Sequence, residues 1–370
     1  LEALEKLKTG AIELLKALIS TPSFSKTEDK TADLIQTFLE NKAIKTQRKK
    51  NNVWAYNKEF NPALPTLLLN SHHDTVKPNQ GYTLDPFFPL EKEGKLYGLG
   101  SNDAGGCLVS LMATFVYYYD KKMPVNLVMV ASAEEEISGK EGIESIIKEL
   151  PELNAAIVGE PTLLKMAVAE KGLMVVDAVT KGIAGHAARE EGTNAIYEAL
   201  EDLVTIRDFK FKKESPFLGP NKVSATIIQA GSQHNVVPDK CTYTLDVRVT
   251  DAYTLEEALE ELRSNLKAVL TPRSLRLKSS HIDHAHPLVK TAQLMGMEMY
   301  GSPTLSDQAL IPFPSVKIGP GDSARSHTAD EFIYLSELKE GISLYVSLLE
   351  NYFSVLKKSS NEALAKRQDQ

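Results

Sequence analysis

Three short apolar runs mark the first half of the chain: TLLL at residues 66–69, VNLVMVAS at 125–132 and AAIV at 155–158. Each is too short for a stable helix and unbroken rather than alternating, the pattern of strands buried on both faces. Helical patterns surround them. Leu4, Leu7, Ile12, Leu15, Leu18 and Ile19 share one helical face, and residues 105–120 and 140–150 also read as helices. Ser25-Lys26-Thr27-Glu28 has capping-box spacing and predicts a second helix running to about Asn41. Buried strands alternating with helices predict an α/β fold with a mostly parallel sheet covered on both faces.

The texture changes after Lys171-Gly172. Residues 173–180, 222–229 and 241–249 alternate, and helical patterns lie at 194–206 and 255–270. This order predicts a small α+β layer on an antiparallel sheet. From about Leu288 the chain returns to a helix, a buried segment at 315–318 and a last helix from Leu335, with a polar tail at 357–370 that extends or frays it. With 370 residues there is length for two domains. The expected division is an α/β domain made of 1–171 and 287–370, interrupted by an inserted domain at 172–286. No internal repeat is visible.

The formal charge of −7 argues against a nucleic-acid groove or an anionic membrane as the main partner. The most apolar stretch, 108–119, carries Ser110 and Thr114 and falls short of the ~18 residues a membrane helix needs. The first fifteen residues read as an amphipathic helix rather than a secretory leader, and the expected compartment is the cytoplasm. Only Cys107 and Cys241 are present, which excludes a disulfide framework and a thiolate zinc site. Any metal must then be held by His, Asp and Glu.

Such residues cluster where α/β sheets bind ligands, just beyond the carboxyl ends of strands. His72 and Asp74 are two apart, on one face of an extended chain, and a carboxylate beside a histidine fixes its tautomer. His73 points the other way. The Gly-rich stretch from Gly98 to Gly106 lacks both the ending of a P-loop and G-x-G-x-x-G spacing; its glycines let the backbone turn around Asp103, with a helix N-cap Asp as the competing reading. Glu134, Glu135 and Glu136 follow a buried strand, and three adjacent carboxylates there repel one another; a dication is the obvious counter-charge, with a solvated acidic loop as the competing reading, weakened by the buried strand before it. Glu160 follows 155–158, and His327 lies in Arg325-Ser326-His327-Thr328-Ala329-Asp330-Glu331 after a Gly-rich turn.

Each segment alone has a bland loop reading. Together His72, Asp103, Glu135 or Glu136, Glu160 and His327 make two histidines and three carboxylates. With one carboxylate bridging, they would hold two zinc-like ions ~3.5–4 Å apart. Cobalt or manganese suits the same donors. The spare glutamate is what a hydrolase that activates water on a metal needs as general base. The chief rival is His281, His284 and His286 with Asp283, which no buried strand precedes and which reads as an exposed linker. His234 has no clear partner, and His186 after Gly185 reads alone as a turn residue.

These segments, in this order, resemble the two-zinc amidohydrolase and exopeptidase family of aminoacylase, acetylornithine deacetylase, succinyl-diaminopimelate desuccinylase and carboxypeptidase G. The likeness runs from the N-terminal helix to Leu348. It rests on His72-x-Asp74-x-Val76, the Gly98/Gly100/Asp103 loop, the Glu134-Glu135-Glu136 triplet (Glu standing for the family's first Asp), Gly159-Glu160-Pro161-Thr162, and Ser326-His327-Thr328 through Glu331 (Ser standing for Ala). The resemblance implies that His72, Asp103 and Glu160 bind one metal and Asp103, Glu136 and His327 the other. It implies that Asp74 orients His72, and that Glu135 takes a proton from the attacking water and hands it to the leaving amine. It implies a ferredoxin-like lid and dimerisation domain in which Gly185-His186 polarises the scissile carbonyl, often across a homodimer interface. It further implies that Asn235, opening an Asn-x-x-Pro-Asp segment, binds substrate and that Arg248, in Asp246-Val247-Arg248, pairs with the substrate carboxylate. Leu99 and Gly105 depart from the Arg and Lys common in this family; neither position is a metal ligand, but they blur the substrate. The branch that fits best is acetylornithine deacetylase. The expectation is hydrolysis of N-acetyl-L-ornithine in arginine biosynthesis. N-acetylcitrulline or succinyl-ornithine deacylation, a dipeptidase or aminopeptidase, and a non-catalytic metal-stabilised binding protein stay open as alternatives.

Overall fold

The computed structural model describes residues 2–368, with side chains to residue 358. Helix α1 (Glu2–Ile19) buries Ala11, Ile12, Leu14, Leu15, Leu18 and Ile19, the face its spacing predicts. Helix α2 (Asp29–Glu40) forms, but its capping box does not: Glu28 is the N-cap residue and makes no side-chain cap bond. The buried Glu28 carboxylate instead takes the N–H groups of Lys26 (2.8 Å) and Glu134 (3.2 Å) and the Asn51 amide (2.8 Å), which outcompete the local cap. Strands β1 (Thr46–Lys49), β2 (Asn52–Tyr56) and β3 (Thr66–His72) lead to α3 (Gly106–Tyr118). Helix α3 is apolar almost all round, as a helix sunk in the core must be. Strand β4 (Asn126–Ser132) is followed by α4 (Ile143–Ile147), β5 (Ala155–Val158) and β6 (Met166–Glu170). Helix α4 covers only part of the 140–150 pattern. Residues 139–142 are tied back to the preceding loop by Gly139 N–H on the Glu134 carbonyl (2.8 Å), and Gly142 lies so close to the Ala133 carbonyl that no Cβ fits.

The next stretch runs β7 (Gly172–Lys181), α5 (Ala195–Asp208), β8 (Lys222–Ala230), β9 (Lys240–Val249), α6 (Leu255–Arg263) and β10 (Val269–Pro272). The sheet order is β8-β9-β7-β10, antiparallel throughout, with the βαββαβ order of a ferredoxin-like layer. Met174, Val176, Tyr243, Leu245, Val247, Leu259 and Leu262 pack between sheet and helices. Helix α6 opens with a true capping box at Thr254 and Glu257. It stops at Arg263 rather than 270. The Asp202 carboxylate takes the N–H groups of Lys267 and Ala268, both at 2.9 Å, and leads the chain out of the helix into β10.

The chain then returns through α7 (Pro287–Leu294), β11 (Ser315–Lys317) and α8 (Leu335–Gln368). Residues 281–286 are not a free linker. Ser280–His281 forms a short strand, Ile282 is buried, and His286 is the N-cap of α7, accepting the Leu288 N–H at 3.2 Å. The large sheet runs β1-β2-β4-β3-β5-β11-β6 and is completed by short strands to nine. Its centre is parallel (β4 with β3, β3 with β5, β5 with β11) and its flanks are antiparallel. The helix of the polar tail continues to Gln368, and the last two residues lie outside the described residues. Two compact units result. The first is Leu1–Val168 with His281–Tyr300 and Ser306–Gln370; the second is Ala169–Ser280 with Gly301–Leu305. Among the described residues no helix is long and apolar enough to cross a membrane.

Candidate metal centre

In the first unit, β3 is buried along its whole length and ends on His72. The ring's Nδ1 lies 3.0 Å from the Asp74 backbone carbonyl and 3.4 Å from the Asp74 carboxylate. Facing acceptors, Nδ1 carries its proton, and Nε2 is left to the centre. Nε2 is buried without a hydrogen-bond partner; Asp103 Oδ1 lies 3.3 Å away, and Glu135 and Glu160 lie 3.8 Å away. The Asp74 carboxylate itself accepts the Ser25 hydroxyl at 2.6 Å and the N–H groups of Glu135 (3.0 Å) and Glu136 (3.2 Å). Asp74 thus builds the glutamate turn at the end of β4 as much as it holds the ring. His73 faces away, bonded to the Thr31 hydroxyl and the Asn51 carbonyl.

Asp103 sits in the tight turn Ser101–Gly105 before α3. The turn is entered at Gly100, whose φ of 76° favours glycine. The buried Glu331 carboxylate clamps it, accepting N–H from Gly100 (3.2 Å), Asn102 (2.8 Å) and Asp103 (2.9 Å). Four residues earlier on the same loop, His327 puts Nε2 3.0 Å from Glu136 and 3.6 Å from Asp103. Its loop is moored by Asn79 on the His327 carbonyl and by Asp330, which accepts N–H from Thr83 and Leu84. Among the described residues, two groups bring ligand atoms within 4.8 Å of one another: His72, Asp103 and Glu160, and Asp103, Glu136 and His327. They share Asp103. The cluster at residues 281–286 forms no such group.

Without a cation this centre is electrostatically unbalanced. Burial, with Glu160, Asp307 and Glu136 beside it, holds the Glu135 carboxyl well above the usual range against the opposing pull of His72, and burial pushes Glu160 up to about 8. Burial pulls His72 down, but Glu135, Asp103, Asp74 and Glu160 more than reverse it and hold the ring well above its ordinary value. The Glu136 hydrogen bond lifts His327 to about 9. Protons stand where a cation would balance the charge. With the orphaned Nε2 of His72 and an imidazole–carboxylate donor set, the residues present fit one divalent ion in each group.

The second unit holds His186, Asn235 and Arg248. His186 lies on the short strand Gly185–His186, paired with Val236–Val237, and both His186 and Asn235 are exposed. Arg248, near the end of β9, forms a two-bond ion pair with Asp246 at 2.8 and 3.0 Å. In the sequence Ser25 and Glu28 read only as the ends of a capping box, and Glu331 and Asp307 carry no assigned role. Glu331 stood inside a quoted motif, and its spacing from His327 was the available signal. The others act through contacts of long sequence separation and left none.

The sequence pattern of peptidase family M20/M25/M40 matches residues 68–351. An acetylornithine deacetylase of Proteus mirabilis is 30% identical over 378 residues, covering 92% of this chain and 96% of that protein. One from Shigella sonnei is 28% identical, covering 92% and 97%. Among solved structures, the aminopeptidase PepT of Bacillus cereus superposes with a TM-score of 0.75 at 16% identity (93% of this chain, 98% of that one). An M20 family metallo-carboxypeptidase from Sulfolobus solfataricus superposes with a TM-score of 0.70 at 17% identity (93% and 99%). The match spans most of both compact units and every strand end that carries a candidate ligand, so the chain belongs to peptidase family M20/M25/M40 and is a metallohydrolase of that family.

Proposed function

We propose that the protein hydrolyses the amide bond of an N-acyl amino acid, with N-acetyl-L-ornithine as its substrate, in arginine biosynthesis. The observation that carries this reading is the pair of ligand groups sharing Asp103 with Glu135 left over beside them, in a chain whose full-length relatives include acetylornithine deacetylases. His72, Asp103 and Glu160 would hold one divalent ion and Asp103, Glu136 and His327 a second, zinc or cobalt. Such ions supply Lewis acidity, lowering the pKa of water and polarising a carbonyl. Asp74 fixes the Glu135 turn through two backbone N–H groups. Glu135 takes the proton of the attacking water and returns it to the departing amine. His186 donates a hydrogen bond to the developing oxyanion, Asn235 lines the same end, and Arg248 exchanges Asp246 for the substrate carboxylate.

The second unit also supports a lid that works as a homodimer. His186 and Asn235 lie beyond the Lys181–Lys240 end of the sheet, whereas Arg248 pairs with Leu173 at the other end. Eight residue steps along the strand, roughly 26 Å, separate Lys240 from Arg248. A small acyl amino acid cannot touch both ends of one sheet, which supports a second copy as the source of His186 and Asn235. The exposed edge β8, with Ile227 and Ile228 about half exposed, and Tyr197, Leu200 and Val204 on α5 offer an apolar face for it. The test is hydrolysis of N-acetylornithine, N-acetylcitrulline, N-succinylornithine and N-succinylcitrulline by zinc-loaded protein beside a chelated control. Turnover of N-acetylornithine that chelation removes is the expected result. Turnover of another of the four moves the substrate, and turnover of none with zinc bound removes the deacylase reading.

A further inference from the structure

Asp307 belongs to the first unit and is buried. One of its oxygens, Oδ2, accepts two hydrogen bonds, from Asn70 Nδ2 at 2.8 Å and from the Ser132 hydroxyl at 2.6 Å. Asn70 stands two residues before His72 on β3. Ser132 is the last residue of β4, three before Glu135. The two strands are parallel neighbours, and His72 pairs with Ser132 in register. The turn that presents Asp307 is itself fixed: the Ser306 hydroxyl accepts the Gln308 N–H at 3.3 Å, and the Gln308 amide donates to Ser315 on β11 at 2.9 Å. One carboxylate oxygen therefore ties together the ends of the two strands that deliver His72 and Glu135, from a turn anchored on a third strand.

We infer that Asp307 is a positioning residue for the hydrolytic centre, setting the placement of Glu135 relative to His72 through Ser132 on one side and Asn70 on the other. Asp307 touches neither group, and its turn lies outside the five segments that carry the centre. Burying a carboxylate for stability alone is a poor bargain, because an apolar side chain in its place usually does as well. Two short bonds that converge on the ends of adjacent strands give it a geometric task instead. The inference rests on the reading of His72 as a metal ligand and Glu135 as the base.

The two arms separate in experiment. In the full chain, Asn70→Ala releases the end of β3, and zinc affinity, read by competition with a chromophoric chelator, falls by about tenfold or more. Ser132→Ala releases the end of β4, and kcat falls by about tenfold or more at unchanged KM and unchanged zinc affinity. Because both bonds end on one oxygen, Asp307→Asn keeps them through its amide oxygen and stays within about threefold of the parent in both readouts. Asp307→Ala loses both; should it fail to fold, the single-arm variants carry the test. Parent-like behaviour of both Asn70→Ala and Ser132→Ala overturns the inference, as does an Asp307→Asn no better than Asp307→Ala. Glu135→Gln is run in parallel. If it stays active, the base assignment fails whatever Ser132 does; if it is dead while Asn70→Ala and Ser132→Ala are both normal, the positioning role alone fails.

Discussion

The two units hold their candidate residues in opposite ways. In the first, His72, Glu135 and Glu160 are packed at or just beyond the ends of buried strands and Asp103 in the turn before α3, where like charges crowd and the His72 Nε2 has no partner. In the second, His186 and Asn235 face solvent, and Arg248 is already paired with Asp246. A buried, unsatisfied cluster is expensive unless something completes it, so the first unit implies its own ligand. Exposed or satisfied groups imply nothing until another surface meets them. Chemistry can be read from the strain of one region, whereas the other shows only its placement on a sheet.

That contrast makes Glu135→Gln the most damaging single change. It removes the proposed proton acceptor while keeping the side chain's shape, and neither ligand group includes this residue. Turnover should fall by about 10³-fold or more with zinc content unchanged. A variant that loses zinc in parallel with activity would place Glu135 among the ligands instead.

The second unit should give a smaller loss of a different kind. His186→Ala is expected to lower kcat about 10²- to 10³-fold, as loss of one oxyanion donor does, with no change in unfolding midpoint because the residue is exposed. Mixing inactive His186→Ala and Glu135→Gln chains should restore about a quarter of the parent activity, because random exchange in a twofold dimer leaves one intact centre in half of the dimers. Absence of any recovery after subunit exchange would put both residues in one chain. Ile228→Lys, on the exposed edge β8, should shift the sedimentation profile toward monomer and lower activity with it. An unaltered profile would remove that edge from the interface.

The same contrast explains what could be read from the sequence. Buried strands such as β3, β4 and β5 announce themselves as unbroken apolar runs, and the residue types at their ends name the chemistry. Boundaries set by remote side chains do not. Helix α6 stops where Asp202 captures the N–H groups of residues 267 and 268, and the capping box before α2 gives way to the burial of Glu28. Asp307 is invisible for the same reason: its partners, Asn70 and Ser132, lie 237 and 175 residues away. Local pattern reports on periodicity and caps. It carries no record of which buried carboxylate a fold will use as a clamp.

The mildest expected effect concerns pH and again separates the units. In the metal-free first unit the Glu136 hydrogen bond holds His327 up at about 9, against an ordinary value of 6.5, and burial lifts Glu160 and Glu331 to about 8, against 4.5. Each group binds its proton more tightly folded than unfolded. The histidine's stabilisation is complete below pH 6.5 and lost as the pH passes 9; the carboxyls cost stability from pH 4.5 upward and reach their full penalty as the pH passes 8. All three therefore lower stability as the pH rises from 7 to 8, and His327 continues to do so up to 9. Asp74 and Asp103 are shifted down, so their contribution disappears only under acid conditions; His73 and His286 are held down mainly by burial, so the folded chain binds those protons less tightly than the unfolded one. The unfolding midpoint of chelated protein should fall by a few degrees across that window, and zinc affinity should rise across it, because the metal displaces those protons. Zinc-loaded protein should show little slope, its ligands having no protons to lose. Calorimetric unfolding of both forms decides the matter: parallel curves would mean that the crowded carboxylates are balanced by something other than a cation.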